Sequence, residues 1–342
     1  MMFLFKKKSL KDEKEKIGNE ILKWSTGNER FLNVISAPYN SSEIFMKVIL
    51  YYVGKNKKVI YITNEKHDDV NIMNGIKKCT DFRDYTYIKS IKTNINCRLR
   101  ICNFANAIQL EEKFDLVIYD DIRSFPSYGN YEVLDLMSKM SNESTKLIVY
   151  SIENVLKNNR ELVLPVKDNR IPIVEPRTIL TRIDINKDIP FVVYDYLKWS
   201  INSDRKVIIC VPDEEKLENV YFYISNYCRN ISKSIVCFTK GKTDKRLIAN
   251  FQKMKKVVII TNDFEKIFSD SINVDVMVYF ADHSEFDYKK LIYFCGSVGR
   301  SEKDSKGEVI FLANEETENM EKAKNITRNF NKEAWEMGLL KI

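Results

Sequence analysis

The chain has 342 residues, of which 44% are hydrophobic and 30% are charged, and its formal net charge is +7. This length allows two α/β lobes with separate cores, and the composition is typical of a soluble globular protein. Only 10 Gly and 7 Pro argue against long flexible linkers, and the small basic excess is compatible with nucleic acid or with a lysine-rich solvated surface.

The first half alternates apolar runs with helical patterns. Residues 10–26 read as a polar helix ending near Gly27, and residues 42–54 place apolar side chains at helical spacing. Strands are predicted at 31–36, 58–63, 99–103, 114–119 and 146–150. Near-continuous apolar strands separated by helices predict a parallel sheet covered on both faces.

Residues 161–190 break this rhythm, because they hold four of the seven prolines. We interpret them as an interlobe segment with room for a strand. Further strands are predicted at 206–211, 232–239, 256–261, 274–280 and 308–313, with helices at 214–228, 244–254 and 317–337. The predicted organisation is a helical extension (1–29), lobe 1 (30–160), the interlobe segment (161–190) and lobe 2 (191–342).

The turn after the first strand stands where a phosphate-binding loop would lie. Such a loop, G-x-x-x-x-G-K-[ST], supplies converging N–H groups, a lysine for the phosphates and a hydroxyl for Mg²⁺. Here Asn40-Ser41-Ser42-Glu43 occupies the place of G-K-T-E, and Pro38 removes one donor. Ser41, Ser42 and Glu43 are therefore the candidate nucleotide contacts. The alternative is an ordinary strand-to-helix turn with a serine cap.

Two further segments are candidates for catalysis. Asp120 and Asp121 end an apolar strand, where one acid would hold Mg²⁺ with Ser42 and the next would activate water. Asp121 is one methylene shorter than the usual Glu, and a solvated turn is the alternative. Arg300, after Gly299, is placed to stabilise charge on a γ-phosphate, or to form a structural salt bridge.

In this order, the segments resemble the ComFA-type competence ATPases, which are superfamily 2 helicase-like motors of bacterial DNA uptake. The resemblance runs from about Phe31 to Leu340. Residues 120–126 are similar to the family's D-E-V-D-A-F-P, residues 257–276 to its T-x-x-x-E-R-G and V-D-V segments, and residues 295–301 to A-G-R-V-G-R-S. The resemblance implies two RecA-like lobes, ATP with Mg²⁺, single-stranded DNA and the DNA-uptake machinery as partners, and a cytoplasmic location at the inner face of the membrane.

The chain departs from that family mainly at nucleotide-site positions. Ser41 replaces the loop lysine, Asp121 replaces the glutamate, and Arg123 replaces the second acid of D-E-V-D. We therefore predict a non-catalytic relative that binds single-stranded DNA, with ATP and Mg²⁺ bound weakly or not at all. The alternatives are an active translocase, in which Lys47 could supply the missing cation, and a docking scaffold that binds no DNA.

Cysteine and histidine usage adds an expected absence. The seven cysteines are scattered without a C-x-x-C pair, and the two histidines are His67 and His283. Structural zinc needs clustered ligands, so we expect no zinc and free thiols in a reducing cytoplasm. No run approaches the ~20 apolar residues of a membrane helix, so no membrane insertion is expected.

Overall fold

The computed structural model describes residues 9–90, 97–231, 234–242, 251, 254–268, 274–300 and 307–341. The chain divides into two compact units. The first runs to Arg170 and also contains the residues from Glu333 onward, and the second is Ile171–Lys332.

The first unit contains a seven-stranded sheet in the order β3-β4-β2-β5-β6-β1-β7, with every neighbouring pair parallel. Its strands are β1 (Phe31–Ser36), β2 (Val59–Thr63), β3 (Tyr85–Ile88), β4 (Leu99–Cys102), β5 (Leu116–Asp120), β6 (Lys146–Ser151) and β7 (Arg160–Leu164). Its helices are α1 (Leu10–Ser25), α2 (Met46–Gly54), α3 (Asn71–Cys79), α4 (Phe104–Ala107) and α5 (Asn130–Lys139), and a 3-10 turn, Glu43–Phe45, precedes α2.

The second unit contains a six-stranded parallel sheet in the order β10-β11-β9-β12-β13-β8. Its strands are β8 (Arg177–Leu180), β9 (Lys206–Cys210), β10 (Ser234–Phe238), β11 (Val257–Thr261), β12 (Val274–Tyr279) and β13 (Val309–Ala313). Helices α6 (Phe191–Asn202), α7 (Glu214–Tyr227), α8 (Phe264–Ile267) and α9 (Tyr288–Ser297) accompany it, and α10 (Glu318–Glu336) follows.

The predicted fold class is confirmed, since both sheets are parallel and flanked by helices. Central strands such as β2, β5, β9 and β11 are buried along their whole length, which is why they read as unbroken apolar runs. The predicted strands all appear within about two residues of their expected bounds. The helix predicted at 244–254 lies largely outside the described residues.

Three strands were missed, and all of them are edge strands. β3 and β7 close the two ends of the first sheet, and β8 closes one end of the second. Each is only partly buried, and β7 and β8 begin with Arg160 and Arg177. Edge strands face water on one side, so they lack the apolar run that reveals a central strand.

Helix α1 packs against the beginning of α2, beside the predicted nucleotide loop. Ile17, Ile21 and Trp24 recur at helical spacing and are buried. A Cβ on Gly18 would lie 3.2 Å from the carbonyl oxygen of Ile44, so glycine allows the close approach of α1. Within the described part of the chain, no helix is long and apolar enough to cross a membrane.

Candidate nucleotide site in the first unit

The loop after β1 bends at a residue in the left-handed backbone region. Tyr39 has φ of 64°, a conformation that costs a non-glycine residue roughly 1–2 kcal/mol. Its N–H donates to the carbonyl of Ile122 at 2.9 Å. Its own carbonyl accepts a hydrogen bond from Nη1 of Arg123 at 2.8 Å. The segment after the acid pair therefore holds the bend in place.

The backbone N–H groups of residues 39–43 all donate to acceptors within the first unit. After Tyr39, their acceptors are Ala37 O, Asn40 Oδ1, Asn71 Oδ1 and Ser41 Oγ, at 2.9–3.4 Å. A working phosphate loop instead leaves such groups pointing at the phosphates. This loop has spent its donors on its own structure, and Pro38 has none to offer.

Tyr61, on central strand β2, lies between the two predicted Mg²⁺ ligands. Its hydroxyl donates to Oδ2 of Asp120 and is within hydrogen-bonding reach of the Ser42 hydroxyl. The other Asp120 oxygen accepts the N–H groups of Ile122, at 2.9 Å, and Arg123, at 3.2 Å. Asp120 and Ser42 are thus brought together, but around a phenol that occupies the space between them.

Arg123 lies among buried acids instead of supplying one. Its Nε donates to Oε1 of Glu65 at 3.1 Å, and Glu65 also accepts the N–H of Asn71 at 3.2 Å. The Asn71 side-chain oxygen in turn accepts the N–H and the hydroxyl of Ser42, at 2.9 and 2.8 Å. These contacts make one continuous network, which we call the closed-site network: Ser42, Tyr61, Glu65, Asn71, Asp120 and Arg123.

The acids of the closed-site network titrate abnormally because they are buried. Burial raises the pKa of Glu65 to about 7, against the opposing effect of Arg123. Burial likewise raises the pKa of Asp120 to about 6, while the Tyr61 hydrogen bond and Arg123 lower it. Arg123 therefore supplies the positive charge that keeps two buried carboxyls near neutral pH in a charged form.

Glu43 and Lys47, at the start of α2, face helix α1. Lys14 Nζ bridges Glu43 Oε1 and Asp168 Oδ1, at 2.6 Å each. Lys47 Nζ contacts Glu15 Oε1 at 3.2 Å and the Asn19 side chain at 2.7 Å. Lys47 is thus engaged with α1, and its contacts do not make it a substitute for the missing loop lysine.

The remaining predicted site residues have separate surroundings. The Asp121 carboxyl accepts the Tyr119 hydroxyl at 3.2 Å, so it is not directed toward Tyr61 as Asp120 is. Arg300 belongs to the second unit, where its Nη1 donates to the Phe268 carbonyl at 2.6 Å. Among the described residues, no group of three or more His, Cys, Asp or Glu side chains could hold a metal ion.

Solved structures with the same fold are nucleic-acid helicases and related NTPases. Dbp5 of S. cerevisiae, bound to RNA and ADP BeF3, matches 95% of this chain and 88% of its own at 14% identity and a TM-score of 0.56. RecG bound to a three-way DNA junction matches at 13% and 0.58, and the DExH-box NTPase HrpB of E. coli at 13% and 0.53. The chain has the fold of the superfamily 2 helicases.

The helicase-like chain covers 46% of the RecG chain and 42% of the HrpB chain, so it spans less than half of those two proteins. No protein-family model matches it. No curated protein matches it. The likeness therefore lies in the two RecA-like lobes.

Tyr61, Glu65 and Asn71 were not predicted as site residues. Tyr61 reads as one more apolar position of β2, and Asn71 reads as the first residue of a helix. A signal was present in Arg123, because a buried arginine in place of an acid requires a buried acidic partner. The sequence gives no indication of which acid that is, since Glu65 lies 58 positions away.

The closed-site network predicts that stability falls as pH rises toward neutrality. Glu65 and Asp120 bind protons more tightly in the folded chain than in the unfolded chain, whose carboxyls titrate near pH 4. Their contribution is therefore greatest below that pH and is lost as pH rises to about 7. Glu65→Gln should reduce the stability difference between pH 5.5 and 7.5 by on the order of 1 kcal/mol, measured by urea unfolding.

The matched control is Glu111→Gln, because Glu111 is exposed and its substitution should leave the pH dependence as it is in the parent chain. An unchanged slope in Glu65→Gln would mean that Glu65 is ionised in both states.

Proposed function

We propose that this chain is a helicase-like protein that binds single-stranded nucleic acid without using ATP, and that it derives from a motor of the DNA-uptake type. The observation that carries the proposal is the closed-site network. The loop donors, the two Mg²⁺-ligand candidates and the space between them are all committed to contacts within the first unit. ATP and Mg²⁺ would have to displace those contacts before binding.

The nucleic-acid part of the proposal is supported by the fold and the charge. Dbp5 and RecG carry RNA and DNA in the structures that match this chain. The net charge of +7 favours a phosphate backbone over an acidic partner. Backbone binding of this kind needs dispersed amides, hydroxyls and cations, and loss of the nucleotide site does not remove them.

Fluorescence anisotropy with labelled oligothymidine about 30 nucleotides long tests the proposal. We expect binding that weakens steeply with salt, because cations on the protein release counterions from the strand. We also expect the affinity to change less than about twofold when ATP and Mg²⁺ are added. An oligodeoxyadenosine and an RNA of the same length measure the preference for base and sugar.

Two results would redirect the proposal. Steady ATP turnover with DNA present, abolished by Asp120→Asn, would favour the active translocase. Failure to bind DNA at low salt would leave the docking scaffold. In both cases the isosteric Asn variant is preferable to Ala, because Asn at position 120 keeps an acceptor for the Tyr61 hydroxyl.

A further inference from the structure

Helices α6 and α7 of the second unit cover the same face of its sheet. Val193 and Leu197 of α6 share one core with Val220 and Ile224 of α7. The two helices are also tied at their edges, because the Tyr223 hydroxyl donates to the carbonyl of Ile185, just before α6, at 2.8 Å. Their solvent-facing sides therefore form one continuous surface, which we call the α6–α7 face.

This face carries large apolar side chains that the second unit leaves exposed. Phe191 is 76% exposed, Phe222 is 71% exposed and Trp199 is 53% exposed, with Val192 and Tyr221 beside them. Fully exposed aromatic side chains present about 150–250 Å² each, so the five residues offer on the order of 600 Å². The largest apolar patch on a typical monomer is about 300–600 Å², and one side of a standard interface is about 800 Å².

The charges around these side chains are mainly negative. Helices α6 and α7 contain four acids and two lysines. Lys216 pairs with Asp213, and Glu214 pairs with Lys242. The other charges are Asp195, Glu215, Glu218 and Lys198, which are exposed. An acidic surface on a chain whose net charge is +7 calls for an occupant of opposite sign.

We propose that the α6–α7 face binds a basic amphipathic helix of a partner protein. Such a helix would lay an apolar stripe against Phe191, Trp199 and Phe222 and place lysines or arginines opposite Glu215 and Glu218. A nucleic-acid strand fits the aromatics but would bring its phosphates against the acids. A second copy related by a two-fold axis would bring each cluster of acids against itself.

A labelled model peptide tests this site directly. We would use a Leu/Lys amphipathic helix about 18 residues long and, as its matched control, a Leu/Glu helix of the same apolar pattern. The Leu/Lys peptide should bind the full chain with a micromolar dissociation constant, measured by anisotropy, and the Leu/Glu peptide at least about tenfold more weakly.

Two variants should weaken Leu/Lys binding at least about tenfold: Trp199→Ser/Phe222→Ser, which removes the apolar anchors, and Glu215→Lys/Glu218→Lys, which reverses the charge. Tyr131→Ser is the control, since Tyr131 is an exposed aromatic of the first unit, and it should change binding less than about twofold. If the serine variant loses its cooperative thermal transition, the charge-reversal variant decides alone.

Three outcomes would overturn the proposal. Equal binding of the two peptides would remove the charge argument, and unchanged binding in both face variants would place the peptide elsewhere. Sedimentation that shows a dimer lost in Phe222→Ser would identify a second copy as the occupant.

Discussion

Restoring the loop lysine alone should not restore ATP binding. Ser41→Lys returns the cation of the phosphate loop, but the N–H groups of residues 39–43 remain bonded within the chain and Tyr61 remains between Ser42 and Asp120. Titration of a fluorescent ATP analogue with Mg²⁺ should give a dissociation constant weaker than about 1 mM for both the parent chain and Ser41→Lys.

Opening the closed-site network should change that result. Asn71→Ala frees the N–H and hydroxyl of Ser42, and Tyr61→Phe removes the hydroxyl that bonds Asp120. Ser41→Lys combined with these two changes should bind the analogue at least roughly tenfold more tightly than Ser41→Lys alone. Micromolar binding by the parent chain, lost in Asp120→Asn, would instead show that the closed network opens readily for nucleotide.

Arg123→Met should be among the most destabilising single changes in the first unit. It removes the cation that Glu65 and Asp120 both face and leaves two buried acids without compensation. Breaking a buried pair in this way typically costs about 3–5 kcal/mol. The cost should be smaller at pH 5.5, because the acids then take up protons, whose binding the missing arginine no longer opposes.

Urea unfolding can follow the first unit alone through Trp24, which is buried there, in a Trp199→Phe/Trp335→Phe background. Arg98→Met is the matched control, because the Arg98–Asp84 pair is partly exposed and should be worth at most about 1 kcal/mol. Glu65→Gln/Arg123→Met should recover part of the loss. An equal cost for Arg98→Met and Arg123→Met would mean that Arg123 acts only as a surface charge.

The sequence carried the framework of the fold further than it carried the site. The apolar runs of β2 and β5 locate the central strands because strands buried on both faces cannot hold polar residues. The motif positions Ser42 and Asp120 do lie close together, since both follow neighbouring parallel strands at the same sheet edge. A motif identifies the residues that have changed, however, and gives no indication of what fills the space they leave.

The contacts that close the site are long-range and have no periodic signature. Arg123 meets Glu65, and Ser42 meets Asn71, across 58 and 29 positions of sequence. Asn71 also lacks a motif, because an amide that accepts three hydrogen bonds looks the same in sequence as one that caps a helix. Only the packing of β2, α3 and the loop after β5 brings these groups together.

The mutual dependence of Arg123 and Glu65 also bears on how such a site could change over many generations. Each is tolerable inside the protein because the other is present, so a single reversion at either position passes through a less stable chain. A lineage that has reached this arrangement meets a stability barrier on the way back to a working phosphate loop. The surviving Asp120 and Ser42 are then explained by their structural partners, and their persistence is no sign of retained catalysis.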